Sequence, residues 1–527
     1  MRFICPQDWH PVPIAPGHYA NDVPLTGYQR RDGFEGNALH PVHGDQDLED
    51  TLADTFVSLH KRFPLVRIER CHIRMPHWSG KLVPPLDRYA LIDKPDRLAS
   101  TSVTILKVPK QAIRSAKMGY HFGQHTLPTL HQRTQGQLFH GLIGNLGYYY
   151  TRGLQETKFP WSHGSRYPHH SVSCPPAYLG FYATTDPITG NVHGTFPSAY
   201  PGAVGIRRDG HIELLPRVDL SRYTVRVDRI EFAVEHVNDP QAVREPVVAF
   251  TPACRTAPID DLIARAERSG GQLKDWQTYA PTIPVEDAHE RIHVLLANRG
   301  NGHLPVEVVA AIWEGSAPLP SFGAVLSFTR SYFHALFGAP EDARTTLVGT
   351  PVQVIPHGPT SLDPYITVLG GLVPAVIDGQ FLCAETVKET LRLINQHGNA
   401  LSPLARAGQE SRNFDPYIRE PAGLLIQTAS HVGWVLLDGR HELSIGASVV
   451  DALQILLKLQ TEGILGQEIE QALFVDGGSA MKVYWVQSNS GSTDLKLLNR
   501  VAAGSRNRAG NDPDGFNLYS TLAIELE

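Results

Sequence analysis

Four apolar residues, Ala472-Leu473-Phe474-Val475, run straight into Asp476-Gly477-Gly478-Ser479, and an alternating Val483-Tyr484-Trp485-Val486 run follows. Short apolar runs bounded by turn residues read as buried strands. A chain with this stretch has to place an acid where a side chain leaves a buried strand and enters a mouth. Gly477 and Gly478 let the backbone approach a ligand with bare N–H groups, the physical basis of an anion-cradling nest. Ser479 adds one hydroxyl that both donates and accepts. The same residues also suit a plain β-turn, in which Asp-Gly-Gly only supplies permissive φ values.

A second strand ends in the same way. Gly433-Trp434-Val435-Leu436-Leu437 runs into Asp438-Gly439-Arg440. Asp438 and Asp476 are thus two strand-end carboxylates in one C-terminal region. Between them the sequence predicts a helix over 449–461, opened by Ser448 and Asp451 in a capping-box-like start and stopped by Gly463. Its Val449, Leu453, Leu456 and Leu457 form an apolar stripe that suits packing and carries no chemistry. Two carboxylates flanking a bond are the general requirement of glycosidic hydrolysis, and a nearby arginine suits a phosphate. A salt-bridged turn accounts for Asp438-Gly439-Arg440 equally well.

The remaining pattern is mostly strand. Runs at 103–108, 139–150, 224–234, 246–250, 292–297 and 306–313 read as strands, and 201–215 as a glycine-rich hairpin turning at Arg208-Asp209-Gly210. Helices are expected at 48–60, 259–268 and 385–397, the latter two closed by glycine. The 40 prolines and 46 glycines fit many turns between short strands. Residues 1–99 are rich in Pro, His and Asp and punctuated by Pro84-Pro85 and Asp93-Lys94-Pro95, so they read as an N-terminal extension or small subdomain. Residues 100–527 read as one large α+β domain, strand-rich with mixed sheets and a few packing helices.

Charge and cysteine usage narrow the partners. A net charge of −6 argues against nucleic acid or an anionic membrane surface as the main partner. No stretch of 18 apolar residues is present to span a membrane as a helix. Cys5, Cys71, Cys174, Cys254 and Cys383 are odd in number and widely spaced, which matches neither a zinc site nor a secreted disulfide framework. The first residues lack the apolar core of a signal peptide, so a reducing, cytoplasmic location is expected. His121, His125, His131 and His140 have no acidic partner at a metal-ligand spacing, and His163, His169 and His170 lie in a Pro- and Ser-rich loop that names no reaction. Asn511-Asp512-Pro513-Asp514-Gly515 starts like a calcium loop but lacks the closing glutamate, and is read as a turn. No metal and no cofactor are expected.

The order of the motifs resembles the phosphodiester glycosidase family, which includes the uncovering enzyme that removes N-acetylglucosamine from a phosphodiester on mannose. Val435–Arg440, the Ser444-x-Gly446 turn, the helix, and Leu473–Ser479 are similar to the family's C-terminal signature. Asn145-Leu146-Gly147-Tyr148-Tyr149 resembles its Asn-Gly-Gly-Tyr-Phe segment, and Pro201–Gly210 its Pro-x-Gly…Asp-Gly hairpin. Val248–Pro252, Leu319–Ser327, and Gly370-Gly371 followed by Ile377-Asp378-Gly379 fall in the family's order as well. The family carries three glycines after the acid, where this chain has two, and Pro-Arg-Thr where this chain has Pro421-Ala422-Gly423.

The resemblance implies a glycosidase-type hydrolase acting on a sugar 1-phosphodiester or a related glycoside. It implies Asp476 and Asp438 as catalytic carboxylates and Asn145, Arg440, Gly477, Gly478 and Ser479 as substrate-binding groups. The substrate would be a small sugar or glycoconjugate. The shortened glycine run and Ala422 leave a second expectation open, that of a catalytically silent member binding a glycan or nucleotide-sugar.

Overall fold

The computed structural model describes residues 29–30, 46–74, 100–125, 140–147, 149–150, 177–178, 180–186, 189–196, 200–242, 244–251, 283, 285, 290–298, 307–315, 317, 323–384, 387–398, 421–439, 444, 446–477, 481–489, 492–500 and 518–527. Within these residues the protein is α+β: antiparallel strands dominate and a few helices pack against them.

One sheet organises the C-terminal region. Ser100–Pro109 pairs with Arg67–Arg74 on one side and with His431–Leu437 on the other. Ala422–Thr428, Ile469–Val475 and Tyr365–Ile377 then follow in that order across the sheet, all antiparallel. Both faces of this sheet are covered, which is why its strands read as unbroken apolar runs with no alternation. Trp434 and Leu436 face one core with Leu425, Leu473 and Val475. Val435 and Leu437 face a second core with Leu424, Phe474 and the helix Val449–Thr461. Gly433 has to be glycine, since a Cβ there would lie 1.9 Å from the Leu106 carbonyl oxygen on the neighbouring strand.

The first core is roofed by a five-stranded sheet of Ser492–Leu497, Val483–Asn489, His140–Asn145, Leu518–Leu526 and Ile113–His125. Leu142, Val483, Trp485, Leu522 and Ile524 from this roof meet the large sheet's inner face. The chain passes from the large sheet to the roof at 110–112, and Asp476 and Lys482 lie at the two sides of a second passage between the layers. A third core lies around 181–368, where Arg222–Val227, Pro351–His357 and Gly323–Thr329 pack beneath the helices Arg330–Phe337 and Pro340–Leu347. The 13-residue strand Tyr365–Ile377 joins the halves: its first part pairs with Gly202–Arg207 and its last part with Ile469–Val475.

The helix at Val449–Thr461 has the predicted bounds and a complete capping box. The helices expected at 48–60 and 385–397 are found at Gln46–Arg62 and Val387–Gly398, and the hairpin at 201–215 turns through Gly210 at φ +85°. The helix expected at 259–268 lies outside the described residues. The expected boundary near residue 99 runs through a sheet: all eight residues of Arg67–Arg74 pair in register with Ser100–Lys107, and Leu52, Phe56 and Leu59 sit in the first core. Part of the supposed extension is built into the fold, a contact that the polar, proline-rich composition around it conceals.

Candidate functional site

His431–Leu437 and Ile469–Val475 run in the same direction on either side of Ala422–Thr428, so their C-terminal ends open on one edge of the sheet. Leu436 and Val475 both stand opposite Gly423, which brings Asp438 and Asp476 to the same edge, two strands apart. Asn145 arrives at this edge from the five-stranded roof, whose strand His140–Asn145 ends beside Val483. The topology therefore assembles three of the sequence-predicted residues.

Their surroundings differ. Asp476 is half-buried, as is Gly477. Asp476 donates its backbone N–H to the Leu146 carbonyl (2.7 Å), and its own carbonyl accepts from Asn145 Nδ2 (2.6 Å). Asn145 is 2 % exposed. Its Oδ1 accepts from the Lys482 N–H (3.1 Å) and its own N–H reaches the Lys482 carbonyl (3.2 Å). Asn145 thus grips both ends of the crossover turn. Its carboxamide is engaged with protein backbone at each end, at the Asp476 carbonyl and the Lys482 N–H.

Asp438 has no exposed surface. Arg70 Nη2 lies 2.7 Å from Asp438 Oδ2, and Arg70 is itself 1 % exposed, with Nη1 donating to Thr104 Oγ1 (2.8 Å). Asp438 Oδ1 accepts the Arg500 backbone N–H (3.0 Å). Its backbone is tied down too, donating to the Ser102 carbonyl and accepting from Ser444 Oγ. Asp438 is thus fully enclosed, with its carboxylate ion-paired to Arg70 and hydrogen-bonded to the Arg500 backbone, in contrast to the half-buried Asp476. Its ion-pair partner, Arg70, comes from outside the motif region.

Arg440, Gly478 and Ser479 lie outside the described residues. Pro421-Ala422-Gly423 sits between the two carboxylates, and a Cβ at Gly423 would meet Val475 Cγ2 at 2.7 Å, so the start of this strand is closely covered. No group of three or more His, Cys, Asp or Glu that could hold a metal occurs among the described residues.

Sequence reasoning missed several charged and polar neighbours. Lys482 is 1 % exposed and follows the turn directly; Arg500 is 4 % exposed, and burial lowers its guanidinium to about 10. Asn499, 1 % exposed, accepts the Val483 N–H (2.9 Å) and donates to the Met481 carbonyl (3.1 Å). Arg70, Lys482 and Arg500 are all enclosed, Arg70 in an ion pair with Asp438 and Arg500 through its backbone N–H to the same carboxylate. None of these residues belongs to a local motif, and only the fold brings them together.

No protein-family model matches this sequence, and no curated protein does. Among solved structures, the chain is similar to a putative exported protein from Burkholderia pseudomallei, at 14 % identity and a TM-score of 0.44, covering 83 % of this chain and 76 % of that one. It is similar to a hypothetical protein from Synechocystis at 14 % identity and a TM-score of 0.40. That match covers 81 % of this chain, which spans about 60 % of the Synechocystis protein's length. A third similarity is to the catalytic domain of zebrafish N-acetylglucosamine-1-phosphodiester alpha-N-acetylglucosaminidase, auto-inhibited by its pro-peptide. There the identity is 11 % and the TM-score 0.34, covering 89 % of this chain and 85 % of that one. No helix among the described residues is long and apolar enough to cross a membrane.

Proposed function

We propose that this protein is a glycosidase-type hydrolase of a sugar 1-phosphodiester, with Asp476 as the carboxylate that acts on substrate. The observation that carries the reading is the asymmetry of the two acids: Asp476 is half-buried on a clamped turn, while Asp438 is sealed against Arg70. Ordinary glycosides need one carboxyl group to protonate the leaving oxygen and a second to act at the anomeric carbon. A phosphate monoester already departs as a stable anion, so a phosphodiester dispenses with the proton donor. One accessible carboxylate then suffices: Asp476 activates water or steadies the developing positive charge at the sugar as the phosphate departs. The Gly477 and Gly478 amides, Ser479 and Arg440 would hold the phosphodiester, and Asp438 would act through the framework as a positioning residue.

The test is sugar release from a panel of sugar 1-phosphodiesters by the full chain. Asp476→Asn removes the base and is expected to lower turnover by about a hundred-fold or more. Undiminished turnover in that variant would overturn the assignment. The sealing of Asp438 also favours a second reading, a binder of glycans or nucleotide-sugars that lacks a working pair of acids. Ligand-induced thermal stabilisation of wild-type protein with no sugar released from any phosphodiester would establish that reading in place of the first.

A further inference from the structure

The crossover turn between the two sheets is held from two sides. Asn145 takes the Asp476 carbonyl and both the N–H and the carbonyl of Lys482. Asn499 takes the two flanking groups, the Met481 carbonyl and the Val483 N–H. Four backbone polar groups of 481–483 are thereby taken by two buried asparagines, Asn145 through its carboxamide oxygen and its own N–H and Asn499 through its carboxamide, while the Val483 carbonyl accepts from the Leu498 N–H. A carboxamide suits this task because it offers a donor and an acceptor on one planar group. The second clamp has its own anchor: the residue after Asn499 gives its N–H to Asp438 Oδ1, and Asp438 is fixed by Arg70. A continuous chain of bonds therefore runs from the N-terminal strand Arg67–Arg74 through Asp438 and the 499–500 backbone to the turn that carries Asp476.

We propose that Asn499 is a positioning residue for Asp476, paired with Asn145 as a two-jawed clamp whose outer jaw is set by the Arg70–Asp438 pair. The role in catalysis rests on the reading of Asp476 given above; the clamp itself does not. Asn499 touches backbone, and it acts by fixing where the Asp476 carboxylate points. A misplacement of about 1 Å at a reacting group is enough to cost as much as a hundred-fold in rate.

The experiment is hydrogen exchange by mass spectrometry on the full chain, comparing wild type with Asn499→Ala and Asn499→Asp, alongside turnover of the phosphodiester panel. Asn499→Ala removes all three side-chain bonds, whereas Asn499→Asp keeps the acceptor for the Val483 N–H and loses the donor to the Met481 and Arg500 carbonyls. Peptides covering 476–483 are expected to exchange about ten-fold faster in Asn499→Ala and by an intermediate amount in Asn499→Asp. Peptides from the remote hairpin Gly202–Leu215 should stay at the wild-type rate. In the turnover arm, kcat falls about ten-fold or more while KM moves little. Exchange that is unchanged at 476–483, or that rises equally everywhere, overturns the clamp, as does a wild-type kcat in Asn499→Ala. If wild-type protein releases no sugar and the exchange is still selectively raised, the clamp stands and the hydrolase reading falls.

Discussion

Two regions of this protein bury a carboxyl group among apolar strands, and they treat it in opposite ways. At the shared edge of His431–Leu437 and Ile469–Val475, Asp438 meets Arg70, a backbone N–H and a hydroxyl-braced main chain. At the start of Glu307–Glu314, Glu307 is 1 % exposed, and its Oε2 has no hydrogen-bond partner among the described residues. Burial alone pushes the Glu307 carboxyl up to about 8, so it is mostly protonated at neutral pH. Charge in the core is kept where it organises a turn and discharged where it does not. Among the described residues the first region pairs its acid with a cation and the second does not.

The largest effect is expected from breaking the matched pair. Arg70→Met leaves Asp438 charged and enclosed without its cation, which should cost about 3–5 kcal/mol of stability. Chemical denaturation of the full chain measures it. The double variant Arg70→Met/Asp438→Leu removes both charges and should recover most of that loss. A double variant as unstable as the single one would show that Asp438 is needed for its other bonds, to Arg500 and Ser102, more than for its charge.

This pairing also marks how far the sequence could be read. The strands around Trp434 and Phe474 were legible because four or five consecutive apolar residues between turn residues have few other uses in a soluble chain. The helix at Val449–Thr461 was legible to the residue, since Ser448 and Asp451 cap it and Gly463 stops it. Asp476, Asn145 and Asp438 were picked out through their neighbours in the chain, and pairing register does bring them to one edge. The unequal burial of the two acids was not legible. It depends on Arg70, which lies 368 positions earlier in a segment that its composition set apart, and on Asn499 and Arg500, which stand in no motif. Strand pairing across such separations is fixed by packing, and local spacing carries no trace of it.

The unmatched acid gives the next effect, smaller and dependent on pH. A carboxyl whose folded value is raised contributes full stability below its ordinary value, here 4.5, and that stability is lost as pH rises through about 8. Glu307→Gln removes the titration while keeping the shape. The variant should match wild type near pH 4 and exceed it above pH 8 by an amount on the order of a few kcal/mol. Denaturation midpoints across that range decide the matter. A gain of equal size at pH 4 would mean that the carboxyl is strained or badly packed and that its ionisation is irrelevant. No gain at pH 9 would mean that an unseen cation compensates it, and the contrast with Asp438 would dissolve.

A third enclosed carboxyl sets the loss of one capping hydrogen bond beside the loss of an ion pair. Asp451 is 2 % exposed, yet it lies in the first turn of the helix Val449–Thr461, where its Oδ2 accepts the Ser448 N–H (2.9 Å) and Ser448 Oγ accepts its own N–H (3.1 Å). The helix N-terminus supplies partial positive charge to such a carboxylate. Ser448→Ala deletes one half of this reciprocal cap and leaves the Asp451 N–H in the core without its acceptor, at a cost of about 1 kcal/mol. That is well below the expected loss in Arg70→Met, because a cap removes one neutral bond while the ion pair removes the compensation of a whole charge. Should the two variants lose stability equally when unfolded side by side, the Arg70–Asp438 pair would rank as an ordinary buried hydrogen bond, and the electrostatic distinction between the two regions would fail.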